Sequence, residues 1–353
     1  MCHLTGYIGN DNCIPFLLES LELQEGIIGA QATGIAIIRD GKLTMKKEVG
    51  PVKEFINKTS SLEEASIGIG HTRYAIKNIT KKETNTPEKA NPFWNSDKSF
   101  ITMHNGTIYN FEKFVRELEV KGYQFRSKST YFDKDTNKEV IDYCDSEIFG
   151  FLLDEELKKN DDIYIGIRNI CSDLNGQFAF IVLHPDYPNK IILANWMQPM
   201  FVGFSNDAAF FSSFLEGFNK IKSKIKWVFE PPKNVLITFE KGKITIEHLL
   251  PEKNTPKLQI EENVWFEIIE DAIKMNYNDL ARIWVYTNEN PSTLNLTREE
   301  YDDLMNNGFT LTPMIYSNIL EMEKKGKINK KLEFIWEGGI ETTPRYKFYL
   351  SEK

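Results

Sequence analysis

Cys2-His3-Leu4-Thr5-Gly6-Tyr7-Ile8-Gly9 opens the chain behind its initiator methionine. Removal of Met1 makes Cys2 the N-terminal residue, and its thiol and free α-amine then belong to one residue. A nucleophile needs an adjacent base, and an N-terminal amine can serve as one. An ordinary α-amine titrates at about 7.7–8.0 and an ordinary thiol at about 8.5, both close to neutral pH. The run from Leu4 to Gly9 reads as a short strand with Cys2 at its leading end. A cysteine at position 2 is weak evidence alone; the segments that follow give it meaning.

The chain has 353 residues, enough for two domains or one large domain with an extension. It is 41% hydrophobic and 27% charged, the balance of a soluble globular protein. A formal charge of −8 argues against nucleic acid or an anionic membrane as partner. No apolar run reaches the roughly 20 residues of a membrane span, and no basic stretch precedes an apolar one as in a signal peptide. A cytoplasmic setting is expected. Cys2, Cys13, Cys144 and Cys171 have neither metal-type nor redox-type spacing. They are expected to be free thiols, the last three as buried small apolar residues. No catalytic metal and no cofactor is expected.

Periodicity predicts helices over 15–24, 110–121 and 146–157, the second stopped by Gly122. It predicts strands over 34–38, 66–71, 99–104, 176–183, 190–195, 209–213 and 234–239. The polar, proline-bounded stretch Pro251 to Pro256 marks a boundary between residues 1–250 and a small α+β module over 258–353. In the module, helices are expected over 264–275, 297–307 and 313–325, with Thr297 and Glu300 forming a capping box. A hairpin is expected to pair 332–336 with 346–350. Winged-helix modules have this make-up, but acidic residues outnumber basic ones here. A protein-docking or structural role is therefore preferred to DNA binding.

Four segments carry chemistry. They are Cys2 to Gly9, Gly70-His71-Thr72-Arg73-Tyr74-Ala75, His104-Asn105-Gly106-Thr107-Ile108-Tyr109-Asn110, and Asp145-Ser146-Glu147. In this order and at these separations they resemble the glutaminase domain of class II glutamine amidotransferases, which are N-terminal-nucleophile hydrolases. The glutaminase half of glucosamine-6-phosphate synthase is the nearest likeness, over about residues 2–250. The resemblance implies a four-layer αββα sandwich with the C-terminal α+β module appended. It implies Cys2 as nucleophile, with Asn105 and Gly106 stabilising the oxyanion. Arg73 would hold the substrate α-carboxylate and Asp145 its α-ammonium, while Tyr74, Ile76 and Lys77 would border the glutamine pocket. A planar guanidinium suits a carboxylate better than lysine does. Taken alone, Asn105-Gly106 reads as a tight turn and Asp145 as a helix N-cap. His71 and His104 read as structural histidines at strand ends, because the α-amine already supplies a base.

The chain departs from the pattern in places. Ile28-Gly29-Ala30-Gln31-Ala32-Thr33-Gly34 stands where the family has Arg-Gly-Tyr-Asp-Ser-Ala-Gly, so an arginine and an acid are missing. Ile76-Lys77-Asn78 replaces the family's Thr-His-Gly at the pocket rim. The residues after Pro251 are too few for a sugar-isomerase, phosphoribosyltransferase or ATP-pyrophosphatase domain. The expectation is a stand-alone amidotransferase that hydrolyses L-glutamine and passes ammonia to a separate synthase, with a homo-oligomer as an option. Two alternatives are a weak or inactive glutaminase-like binding module, and an amidase for another γ-glutamyl amide.

Overall fold

Strand β1 (His3–Ile8) is buried along its whole length between β12 (Ala209–Ser212) and β4 (Ile67–Arg73), antiparallel to both. The protein was described from a computed structural model covering residues 2–75, 85–133, 137–337 and 340–351. The first sheet runs β13 (Trp227–Phe229), β11 (Phe201–Phe204), β12, β1, β4, β2 (Ala32–Arg39), β3 (Lys42–Val49). The second runs β15 (Lys243–His248), β14 (Asn234–Glu240), β10 (Ile191–Trp196), β9 (Gly176–Leu183), β6 (Ile101–Ile108), β5 (Phe93–Trp94).

Alternation along the strands explains the layering, since successive side chains point to opposite faces. In β9, Ala179, Ile181 and Leu183 face the first sheet, in one cluster with Leu4, Ile69, Met103 and Phe211. Phe178, Phe180 and Val182 face the other way, onto helices α3 (Ile148–Leu157) and α4 (Ile163–Asp173). In β2, Ala36 and Ile38 join the cluster between the sheets. Ile35 and Ile37 pack instead with Leu17 and Leu21 of α1 (Cys13–Ile28). The order is helix, sheet, sheet, helix, as expected. Helix α2 (Phe111–Val120) packs through Phe114, Val115 and Leu118, and β7 (Ser129–Asp133) pairs with β8 (Lys138–Asp142) as a separate hairpin.

Three local readings change. The strand expected to stop at His104 continues to Ile108, still paired with β9, so Asn105-Gly106 is not a turn. His71 and His104 lie within strands, not at their ends. Helix α4 escaped notice because Ile163-Tyr164-Ile165 carries strand-like residues; the Asp162 side chain starts it, accepting from the N–H groups of Tyr164 and Ile165.

Beyond residue 258 come α5 (Glu262–Lys274), α6 (Leu280–Glu289), α7 (Arg298–Asn306) and α8 (Thr312–Lys324). The hairpin of β16 (Ile328–Glu337) and β17 (Ile340–Leu350) follows, with Leu332 opposite Tyr346. The Thr297–Glu300 capping box is present, whereas α6 had been missed for the same reason as α4. This region packs closely on the rest. Trp265, Ile269, Ile319 and Phe348 share one apolar cluster with Phe149 and Phe178. Tyr316 donates to Glu216 at 2.6 Å, and the Trp196 indole donates to the Asn307 carbonyl at 3.3 Å. No helix among the described residues is long and apolar enough to cross a membrane.

Phe149 stacks on Phe180 with centroids 3.9 Å apart and fixes α3 to the second sheet. Replacing Phe149 with Ala should lower the unfolding free energy by about 3–5 kcal/mol, read from the urea midpoint at unchanged m-value.

Candidate active site

Cys2 stands where the two sheets meet. The register sets His3 against Thr72 in β1 and β4, which brings Cys2 beside Arg73 at the end of the first sheet. From the second sheet, the buried Asn105 reaches across to Cys2. Its Oδ1 accepts from the Cys2 N–H at 2.9 Å and its Nδ2 donates to the Cys2 carbonyl at 3.0 Å. The Cys2 nitrogen marks the place of the free α-amine once Met1 is removed. The sulfur lies between two groups of Tyr74. It receives the Tyr74 N–H at 3.3 Å and faces the Tyr74 carbonyl at 3.6 Å. Cys2 is partly exposed, whereas Cys13, Cys144 and Cys171 are buried. Burial pushes the Cys144 thiol up to about 11 and the Cys13 thiol to about 12.

A cleft of about 160 Å³ opens on Cys2, with Arg73, Tyr74, Gly106 and Asp145 among its walls. Gly106 is glycine for two reasons. Its φ is +142°, and a Cβ there would lie 2.0 Å from the Gln177 carbonyl oxygen. Asp145 does not cap the helix that follows it. Its Oδ2 accepts from the Ile108 N–H at 3.0 Å, which ties the start of α3 to β6. The Arg73 guanidinium is turned by Asn85, which donates in turn to Gln31 Oε1 at 3.2 Å. Gln31 also accepts from the Ala75 N–H at 3.1 Å. The glutamine standing in for the family's acid therefore braces both flanks of Tyr74.

Tyr74 presents its backbone to Cys2 and sends its phenol elsewhere, donating to Glu337 at 3.3 Å. Its ring lies 4.7 Å from the Arg345 guanidinium carbon. Ile76 and Lys77, expected at the pocket rim, lie outside the described residues. The cleft also contains Ser146, beside Asp145 in its motif, and Asn91 and Asp142, which lie outside the four segments. Asp142 forms a buried ion pair with Lys89 at 2.8 Å. Ser146 meets His104 Nδ1 at 2.9 Å, and Asn91 accepts from the His104 N–H at 3.0 Å. No local spacing announces these contacts; only folding makes them. A second cavity lies across Tyr74 and Thr107, which line both spaces. Ile28, Leu280, Ala281, Trp284, Thr310 and Thr312 complete much of its lining, without a charged side chain.

Burial keeps the imidazoles near the cleft neutral. It pushes His104 down to about 4 and His3 to about 3, and lowers His71 well below the usual range. In the unfolded chain these groups take up protons near pH 6.5. Their depressed folded values make a stabilising contribution that is present above pH 6.5 and lost as the pH falls toward 4. Stability should therefore drop between pH 6.5 and 4, and His104→Gln should flatten the slope in denaturant titrations across that range. Buried Glu25, pushed up to about 8, acts with the opposite sign between about pH 4.5 and 8. Gly106→Ala should abolish alkylation of Cys2 by a glutamine-analogue electrophile, followed by intact mass, because the added carbon displaces the β6–β9 pairing beneath the site.

Residues 71–220 match the family model described as "Glutamine amidotransferase domain". The chain is 32% identical over 220 residues to glutamine–fructose-6-phosphate aminotransferase (isomerizing) of Chlamydia trachomatis, covering 62% of this chain and 33% of that one. It is 30% identical over 269 residues to the enzyme of the same name from Methanococcus maripaludis, covering 74% and 41%. The chain thus spans about a third of the length of the first of these relatives. Among solved structures, glutamine phosphoribosylpyrophosphate amidotransferase from B. subtilis, complexed with ADP and GMP, shares the fold with a TM-score of 0.56 and 22% identity, over 75% of this chain and 52% of that one. By these likenesses the chain carries a class II glutamine amidotransferase domain, with Cys2 where its two sheets meet in an N-terminal-nucleophile hydrolase fold.

Proposed function

We propose that the chain hydrolyses L-glutamine to glutamate and ammonia at Cys2. The observation that carries this reading is the double hydrogen bond by which Asn105 holds the backbone of Cys2 in a cleft shared with Arg73 and Asp145. With Met1 removed, the α-amine takes the thiol proton as the sulfur attacks the side-chain carboxamide carbon. The C–N bond of the tetrahedral intermediate breaks, the amine's proton goes to the leaving nitrogen, and ammonia departs. Water then attacks the γ-glutamyl thioester. The amine takes a proton from that water, the C–S bond breaks, and the proton returns to sulfur.

An oxyanion needs donors aimed at it before the reaction begins. The Gly106 N–H is assigned one such role. An amide NH₂ offers two donors, so Asn105 keeps one on the Cys2 carbonyl and has a second to give. Arg73 and Asp145 carry opposite charges in the one cleft and are assigned the carboxylate and the ammonium of the amino-acid end. A substrate lacking that zwitterion forgoes both contacts, which is a basis for selectivity. Ammonia passes on to an acceptor on a separate synthase. The uncharged cavity behind Tyr74 and Thr107 supports that reading, because it adjoins the cleft and suits a small neutral molecule. The acting form is cytoplasmic, and the region beyond residue 258 is a module that closes this side of the glutaminase domain.

The test is glutamate release from glutamine by chain that starts at Cys2, beside chain that keeps Met1. With Met1 attached, the Cys2 nitrogen is an amide and cannot act as a base. The processed chain should turn over and take a single 6-diazo-5-oxo-norleucine adduct on Cys2; the unprocessed chain should do neither. Arg73→Lys should raise KM about 10-fold or more, the loss of one charge-assisted hydrogen bond. Processed chain that neither releases glutamate nor takes the label would overturn the reading. Labelling without glutamate release, together with cleavage of another γ-glutamyl amide, would move the substrate and keep the nucleophile.

A further inference from the structure

We infer that Arg345, on the C-terminal hairpin, is a positioning residue for the Cys2 thiol. The catalytic consequence rests on the glutaminase reading above; the geometric part stands apart from it. Arg345 is fully buried. Its Nη1 meets Asp279 at 3.0 Å and its Nη2 meets Glu337. Lys347 meets the other oxygen of Asp279 at 2.6 Å, so two buried cations and two carboxylates balance, with the half-exposed Arg282 guanidinium a further 3.6 Å contact to Asp279. Asp279 is itself anchored as the N-cap of α6, accepting from the Arg282 N–H at 3.0 Å. The guanidinium is thus held in one place, and what it faces is the Tyr74 ring.

Tyr74 is clamped from that side twice, by the cation over its ring and by the bond from its phenol to Glu337. On the other side its backbone N–H and carbonyl are the groups that bracket the Cys2 sulfur. One residue therefore links the buried charge cluster to the nucleophile. The approach of Arg345 is built into the N-terminal half as well. Gly29 has φ +116°, and a Cβ on it would sit 2.9 Å from Arg345 Nη2. The chain carries Ile28 and Gln31 where the resembling segment has an arginine and an acid. Arginine and acid reach this corner instead as Arg345 and Glu337. A fixed donor on the sulfur holds the nucleophile at its attack angle, and small displacements of a reacting atom are costly to rate.

Removing Arg345 alone leaves buried carboxylates unpaired and threatens the fold. The test therefore uses two variants of the chain starting at Cys2: the charge-balanced pair Arg345→Met with Glu337→Gln, and Tyr74→Phe, which deletes only the phenol bond. Thermal melts establish that each is folded. Two readouts follow, the rate of Cys2 alkylation by iodoacetamide at pH 7, mapped by peptide mass, and kcat and KM for glutamine. In the double variant, alkylation should slow about 5-fold and kcat should fall about 10-fold or more, with KM changed less than about 3-fold. Tyr74→Phe should move both in the same direction by less. A control on the exposed face of the hairpin, Phe334→Ser, should move neither. Folded variants that alkylate and turn over like the parent would overturn the inference. If the double variant does not fold, Tyr74→Phe decides alone. If the parent hydrolyses no glutamine, the proposed function fails, while the alkylation rates still decide between a linked and an unlinked thiol.

Discussion

The site depends on one contact between the two sheets, the carboxamide of Asn105 laid against the backbone of Cys2. A chain terminus is ordinarily the part of a domain that frays. Here the residue meant to do chemistry is the first one left after Met1. Strand pairing fixes β1 from His3 onward on both edges. Cys2 lies just beyond those ladders, and Asn105 supplies what the ladder no longer does, an acceptor for its nitrogen and a donor for its carbonyl. Because Asn105 comes from the second sheet, the position of the nucleophile follows the stacking of the sheets. The apolar cluster of Leu4, Ile69, Met103, Ile181 and Phe211 is thereby part of the site's geometry, although none of these side chains lines the cleft.

The electrostatic design around the cleft is one of removal. Three imidazoles lie close by, and burial makes each a poor proton acceptor in the neutral range. The Lys89–Asp142 pair is matched and buried. Among the described residues, that leaves Arg73 and Asp145 as the charged groups of opposite sign bordering the cleft itself. Held neutral by burial, these histidines do not compete with the α-amine that the proposed reaction uses as base. The same burial makes the site acid-sensitive, since protonating the imidazoles requires exposing them to water.

That Cys2, Gly106 and Asp145 border one cleft was legible from the motifs taken together, not from each alone, since Gly106 is not in a turn and Asp145 does not cap. Cys2, Gly106 and Asp145 stand in short motifs, and Gly106 is set by its own backbone angle and by a neighbouring carbonyl. The αββα order was implied by the resemblance, and strands with both faces apolar, such as β2 and β9, give its physical reason. What could not be read locally was where a side chain goes once distant segments arrive. Tyr74 borders the cleft as its motif suggests, yet its phenol reaches Glu337 while its backbone meets the Cys2 sulfur. Gln31 looked like a lost acid and proves to be a brace for Ala75 and Asn85. Helices α4 and α6 were obscured by β-branched and aromatic residues, though Asp162 and Asp279 cap them.

The region beyond residue 258 shares an apolar cluster with α3 and β9, and it also places charge at the back of Tyr74. These two kinds of contact do different work. The apolar cluster is broad and tolerates small shifts, because burial has no direction. The charge cluster is directional, and a buried carboxylate that loses its partner costs far more than a displaced methyl group. The ion pairs of that cluster lie within the C-terminal region, so what they fix against the other region is the ring and phenol of Tyr74, which meet Arg345 and Glu337. Tyr74 and Thr107 form walls of the cleft on one side and of the uncharged cavity on the other. A ligand that filled that cavity would press on Leu280 and Ala281, next to Asp279 at the head of α6, and on Tyr74 itself. Tyr74, which touches the sulfur through its backbone, is thus also a residue through which the C-terminal region can act on it.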